Sequence, residues 1–225
     1  MPDRSVSARL RAKLALLDTT LTPLYEELWA SPDPARIYPP FLIQVHQIIR
    51  ASVPLMEAAR ACAAARAGDD AVCAALVPYL DEHIEEERGH DLWTLEDLEI
   101  AAVPRSDVLA RIPSPRVAAL VGAQYYWVHH HHPLALLGYI AVLESSPPSR
   151  SFIERLMART GLPPAAFRTM AKHGELDPGH RDGLDRFLDT LPLTPDQESL
   201  LGVSMVHTVS SLSGCVRELL LASAS

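Results

Sequence analysis

Cysteine chemistry is almost absent from this chain. Its 225 residues hold three cysteines, at positions 62, 73 and 215, with no Cys-x-x-Cys pair among them. That spacing excludes a disulfide framework and a thiolate zinc site, and it leads us to expect a reducing, cytoplasmic compartment. Long apolar runs are missing too. No stretch of ~18 uncharged apolar residues, the length of a membrane span, is present, so no membrane partner is expected. The opening segment, MPDRSVSARLRAKLALLD, mixes charges into its apolar positions and lacks the continuous apolar centre of a signal peptide. Positive charge is in deficit: 20 Lys and Arg stand against 28 Asp and Glu, a formal net charge of −8. Such a surface repels phosphate backbones, which argues against nucleic acid as a partner. No segment alternates like a strand, no Asn-Gly or Asp-Gly hairpin joins two such segments, and internal repeats and low-complexity stretches are absent. A β architecture is therefore not expected.

What the chain does have is helical periodicity broken by proline-rich punctuation. Hydrophobic residues make up 48% of it, enough for one substantial core, so a single domain over residues 1–225 is expected. Leu10, Leu14, Leu17, Leu21, Leu24 and Leu28 recur at helical spacing, predicting a helix over 6–30 that SPDPAR ends. Further helices are expected over 38–67, 70–101 and 115–145, with kinks at Pro78 and Pro133. The connector at 103–115 has room for one short helix. Shorter helices are predicted over 150–160 and 163–173. Asp177 reads as an N-cap followed by Pro178, opening a helix to about 190. Thr194 and Pro195 start the last helix, which runs to about 222. The expected fold is all-α, a bundle of seven or eight helices.

Three stretches can carry chemistry. In HIEEERGH, residues 83–90, Glu87 and His90 are three apart and would share a helix face, with His83 and Glu86 near it. A carboxylate and an imidazole one turn apart can reach a single ion, although EEER also reads as a plain solvated face. Asp177 and His180 repeat that spacing, and His173 precedes Asp177 by four. The plain alternative is a capping aspartate between two solvated histidines. Glu144 closes the apolar run PLALLGYIAVLE, where a carboxylate near the core needs a partner. It could equally be a helix-end glutamate reaching into solvent. Together the stretches offer three carboxylates and three imidazoles. Two Fe(II) or Mn(II) ions would bring four positive charges against three negative ones, and mixed nitrogen and oxygen ligation suits those metals.

On these residues the sequence resembles the haem-oxygenase-like di-iron oxidases, also described as iron-containing redox enzymes. The resemblance rests on HIEEERGHDLWTLEDL (83–98), PLALLGYIAVLES (133–145) and HGELDPGH (173–180), in that order. It implies metal ligands at His90, Glu144, His173, Asp177 and His180. A sixth ligand is implied at Glu87, with Glu86 and His83 as alternatives, because members place the first glutamate at different offsets before the histidine. The resemblance also implies a haem-oxygenase-like seven- to eight-helix bundle with a labile pair of Fe(II) ions and O2 as co-substrate. The implied activity is oxidation of a small molecule, amino acid-like or fatty acid-like, by N-oxygenation, desaturation or C–C cleavage, in secondary metabolism. An external electron donor and a homodimer are compatible with it.

Other residues are set aside as packing. His129, His130, His131 and His132 point in four directions on a helix, and His130 would stand about 21 Å from Glu144. Tyr125, Tyr126, Trp127, Tyr139 and Trp93 read as bundle-packing residues. His46 and His207 read as satisfied core histidines. Arg50 is a candidate for a substrate carboxylate that nothing singles out. The cysteines have no base beside them in sequence. Two other functions compete with the di-iron oxidase. One is a haem-binding, haem-degrading enzyme on the same bundle, using His46. The other is a non-catalytic helical partner protein.

Overall fold

The computed structural model describes residues 5–223. Those residues form ten α-helices and one short 3₁₀ turn, with no strand. The helices are α1 (Val6–Ala30), α2 (Pro34–Ala64), α3 (Ala71–Glu87), α4 (His90–Ile100), α5 (Arg105–Ala110), α6 (Pro115–His130), α7 (Ala135–Leu143), α8 (Arg150–Thr160), α9 (Arg168–Thr190) and α10 (Pro195–Ser223). The turn, Pro164–Phe167, precedes α9.

Side chains satisfy the free amides of the first turns, at the expected Thr194 and, ahead of the expected start of the second helix, at Asp33. The Asp33 carboxylate accepts from the Arg36 amide at 3.2 Å, with Pro34 next to it. Thr194 and Gln197 cap each other reciprocally: Thr194 Oγ1 accepts from the Gln197 amide at 3.2 Å, and Gln197 Oε1 accepts from the Thr194 amide at 2.9 Å.

Three expectations are corrected. The helix expected over 70–101 is broken at Gly89, whose φ of +86° is left-handed and ends α3. The helix expected over 115–145 stops at His130 and restarts at Ala135, so Pro133 marks a break rather than a kink. The break expected before Asp177 does not occur. α9 runs through Pro178, and Asp177 is buried in its interior instead of capping it. Only one helical bond is lost there, because the missing Pro178 amide would have served the Gly174 carbonyl. The boundaries of α2 also shift from the expected 38–67, and the segment expected as a helix from 163 begins as the 3₁₀ turn.

α10 is the one helix among the described residues long and apolar enough to cross a membrane by length and composition, and 61% of its apolar window is buried. It packs against α1, α6 and α7 as the central post of the bundle. Two apolar clusters surround it. One joins α2, α3, α6 and α7 through residues such as Leu76, Leu80, Tyr139 and Met205. The other joins the ends of α1 and α2 to α4, α8 and the 3₁₀ turn through Trp29, Tyr38, Leu98 and Phe167.

α7 is almost wholly buried and lies against α10 with no room to spare. A Cβ on Gly138 would stand 2.5 Å from the Leu201 carbonyl oxygen and 2.8 Å from Ser204 Cβ. Gly122, on the exposed side of α6, would meet nothing within 4 Å. Gly138→Ala should therefore cost about 1–3 kcal/mol through overpacking against backbone. Gly122→Ala should add about 0.5–1 kcal/mol through helix propensity. Urea unfolding of the two variants checks this pair, and equal shifts of the same sign would refute the close approach of α7 to α10.

Candidate metal centre

Three helix ends and one continuous helix bring the candidate residues together. His83, Glu86 and Glu87 sit on the last turns of α3, and the left-handed turn at Gly89 places His90 at the start of α4. Glu87 and His90 thus meet across a break, with Glu87 Oε2 3.1 Å from His90 Nδ1. Glu144 follows the last residue of α7, the helix wedged against α10. Because α9 is unbroken, His173, Asp177 and His180 lie at i, i+4 and i+7 on one stripe. The buried Asp97 of α4 accepts from the Thr169 amide at 2.8 Å, which ties the helix carrying His90 to the helix carrying His173.

The geometry is tight. His83 Nε2 lies 3.0 Å from Glu144 Oε1. His180 Nδ1 lies 3.6 Å from Glu87 Oε1 and 3.7 Å from Glu144 Oε1. The His90 ring stands edge-on to His173, with centroids 5.3 Å apart, and His83 stands likewise to His180 at 5.2 Å. His90, His83, Asp177 and Glu144 are all buried. Trp93 stacks on His90 at 4.0 Å with the Arg168 guanidinium over its ring, so it covers the site and is only half-buried.

Burial and crowding perturb the titration of these groups. Burial, then the charges of Glu144 and Glu87, push the Asp177 carboxyl up to about 8, so it carries a proton at neutral pH. Burial alone would raise Glu87, but the hydrogen bond to His90 and the charges of His90, His173 and His83 hold it below the ordinary glutamate value. For His83, burial is outweighed by the hydrogen bond to Glu144 and by the charges of Glu144, Glu87 and Glu86, and the net shift is upward. Burial lowers His173. Its Nδ1 lies 2.8 Å from the Thr169 carbonyl oxygen, which can only accept. The ring therefore holds its proton on Nδ1 and leaves Nε2 bare.

These residues fit metal ions. Two trios, Glu87–His90–His173 and His83–Glu87–Glu144, each offer three ligand atoms within 4.8 Å of one another, and Glu87 belongs to both. Glu144 Oε2 and His180 Nδ1 are buried with no hydrogen-bond partner. Buried polar atoms without partners are rare and costly, and cations would satisfy both. All six residues expected from the sequence are brought to one place. Of the alternatives for the sixth ligand, His83 is as central as Glu87. Glu86 lies at the outer edge, 45% exposed.

The centre forms a partition between two spaces. On one side an apolar cavity of about 460 Å³ reaches Glu87, Glu144, His173 and Asp177. Tyr25, Trp29, Phe41 and Phe152 form its far end, and no Lys or Arg lines it. On the other side a polar pocket of about 640 Å³ is bounded by His83, Glu86 and His180.

The residues set aside have mixed fates. His46 is a buried core histidine satisfied on one side only: Nδ1 lies 2.9 Å from Thr94 Oγ1, whereas Nε2 has no hydrogen-bond partner. His207 is only half-buried and reaches the Ala119 carbonyl at 3.2 Å, so it is no core residue. Tyr126 is 63% exposed, whereas Tyr139 is buried and lines the apolar cavity. Arg50 is not among the lining residues. Two cysteines do have a base nearby that their spacing could not reveal. Cys62 Sγ lies 3.5 Å from His129 Nδ1, and Cys73 Sγ lies 3.5 Å from His132 Nε2. Cys73, His132 and Asp70 form a third trio with ligand spacing. Helix capping accounts for it: Asp70 accepts from the Val72 and Cys73 amides, and His132 braces Asp70 at 2.9 Å. The Leu134 amide donates to His132 Nδ1, so the His132 proton sits on Nε2 and faces Asp70.

The chain matches the family model of iron-containing redox enzymes over residues 51–205. No curated protein matches it by sequence. Among solved structures it is similar to a domain of unknown function with a haem-oxygenase-like fold from Shewanella denitrificans OS217. The TM-score is 0.79 at 18% identity, covering 96% of this chain and 93% of the other. It is similar to a CADD-like protein of unknown function from Nostoc punctiforme PCC 73102, with a TM-score of 0.70 at 18% identity over 97% and 100% of the two chains. A TenA homologue from Pseudomonas syringae pv. tomato DC3000 follows at 0.65 and 12%, covering 92% of each chain. These likenesses establish the haem-oxygenase-like fold. With its family model spanning all three ligand-bearing stretches, the chain belongs to the iron-containing redox enzyme family.

Proposed function

We propose that the protein is a non-haem di-iron oxidase that uses O2 to oxidise a small, largely apolar molecule. The observation that carries this reading is Glu87, shared between two trios of ligand spacing. One ion would be held by Glu87, His90 and His173, the other by His83, Glu87 and Glu144, with Asp177 and His180 completing the pair. Ferrous ions bound there would supply the electrons that reduce O2 and hence the oxidising power. The rest is the work of the chain. The Thr169 carbonyl aims the bare Nε2 of His173. Asp177 yields its proton when cations arrive. The apolar cavity excludes water and holds the substrate body against the centre.

Of the two substrate classes, the fatty acid-like one fits better. The cavity is lined mostly by apolar side chains, with Asp18 and Glu26 at its exposed mouth and no Lys or Arg, so it suits a long alkyl body whose polar group meets the centre. The haem reading is disfavoured because His46, its required ligand, is buried with one nitrogen engaged and lines no part of the cavity. A non-catalytic partner protein would have no use for unpartnered ligand atoms in a carboxylate-rich interior.

Anaerobic Fe(II) titration should give about two ions per chain, followed by O2 consumption, and haemin should produce no Soret band. Glu87→Ala should weaken iron binding more than Glu144→Ala or His173→Ala, beyond the ~10–100-fold typical of an outer partner, because it serves both ions. Unchanged iron content in all three variants would end the oxidase proposal. Mn(II) affinity should depend on pH with a definite sign. Below about 8 the Asp177 carboxyl is protonated and the ion must displace that proton. Affinity should fall about tenfold per unit as pH drops from 8 to 6, with the upward-shifted His83 acting in the same direction. A flat profile by calorimetry would contradict the buried proton. Met170 lines the cavity, and Met170→Trp should shorten the longest alkyl chain turned over without changing iron content. Product analysis across a chain-length series tests this, and an unshifted preference would place the substrate elsewhere.

A further inference from the structure

The polar pocket behind the centre has no part in the reading above. It is bounded by His83, Glu86 and His180, with Glu82, Glu175 and Arg186 beside them. Glu175 is shared with Lys172 at 3.5 Å. Glu86 is the residue that joins pocket to centre. Its Oε2 lies 3.5 Å from His83 Nδ1 and 3.7 Å from His180 Nε2. The other nitrogens of those two rings face inward, His83 Nε2 onto Glu144 and His180 Nδ1 towards Glu87 and Glu144. The His180 side chain is nine-tenths buried, and its inner nitrogen has no hydrogen-bond partner.

Resting on the di-iron reading, we propose that this pocket is the entry for divalent cations, with Glu86 as the exposed carboxylate that receives a hydrated ion and passes it between His83 and His180. Two approaches lead to the centre, and their chemistry differs. A hydrated dication could meet Asp18 and Glu26 at the mouth of the apolar cavity, but beyond them it would shed its water among Tyr25, Trp29 and Phe41, and that desolvation is costly. In the polar pocket carboxylates concentrate cations and replace hydration waters in steps. The substrate and the metal therefore use opposite faces. A centre already holding substrate can still gain or lose an ion. Glu86 Oε2 stands within 3.7 Å of the outer nitrogens of both rings, so it can draw their protons outward as an ion takes the inner nitrogens. Glu86 is thus a positioning residue on the route, not a member of the final ligand set.

The test follows metal alone in the full chain. Metal-free protein is mixed anaerobically with Fe(II), and unbound iron is trapped by a chromophoric chelator at timed intervals. Release is followed by adding excess chelator to the loaded protein. Glu86→Gln should slow loading and release by a similar factor, about tenfold for the lost entry field, with the final iron content equal to wild type. Glu82→Gln should slow loading less. Asp18→Asn and Glu26→Gln, at the mouth of the apolar cavity, should leave the rates unchanged. Equal loading rates in wild type and Glu86→Gln would overturn the proposal, as would slowing by the cavity-mouth variants. Faster release with reduced iron content would also overturn it, by making Glu86 a ligand. If wild type takes up no iron, the di-iron reading itself falls, an outcome distinct from the others.

Discussion

Three carboxylates share one buried space in this protein, and that crowding governs the rest of the design. Burial, and after it the charges of Glu144 and Glu87, let Asp177 keep its proton near neutral pH. Without cations the cluster is a liability, since each buried charge needs a partner and the imidazoles supply only part of what is required. Asp177 keeps its proton and His83 is pushed towards its charged form, which eases the crowding. That arrangement is soft, because protons can leave as ions arrive, and it gives a physical account of why such a cofactor would be labile.

The bundle exists to hold that cluster still. Each ligand-bearing stretch is pinned by something that does not touch the centre. α7 is wedged on α10 at Gly138, which fixes where Glu144 emerges. Asp97 joins α4 to α9 through the Thr169 amide, and the Thr169 carbonyl in turn holds His173. At Gly174 a Cβ would stand 2.7 Å from the Pro148 carbonyl oxygen, so the loop after Glu144 rests directly on α9 beside His173. One glycine thus brings two ligand segments into register. Fixing the first layer of groups through rigid outer contacts is how a site retains its geometry while its occupants change.

Much of this was legible in the residues alone. All-helical architecture followed from apolar periodicity, and the three ligand stretches could be named because carboxylate and imidazole recur at helical offsets. What spacing could not convey was how the chain bends between them. Glu87 and His90 look like neighbours on one helix, yet they meet across the left-handed turn at Gly89, a conformation glycine permits without announcing. Pro178 suggested a break, but the buried face of α9 outweighs one lost hydrogen bond. His83 read as an alternative because family members place their first glutamate at different offsets before the histidine, and Glu87 fits the three-residue one. Only packing against α7 shows that it reaches Glu144. The four consecutive histidines gave the strongest visual signal and carry the least chemistry, since His132 does no more than brace a helix cap.

The two-sided character of the centre follows from the same helix geometry. Side chains of α3 and α9 meet at His83 and His180 and at Tyr79 and Phe187, and these contacts form the partition. Glu87, His173 and Asp177 look to one side of it, and Glu86 looks to the other. Residues one apart on a helix are turned by about 100°, so adjacent glutamates at 86 and 87 are bound to face different spaces. The run of glutamates that first looked like plain solvated surface is thus divided by the pitch of the helix, with one member inside and its neighbour at the edge. Helical pitch therefore turns Glu87 towards the apolar cavity and Glu86 towards the polar pocket.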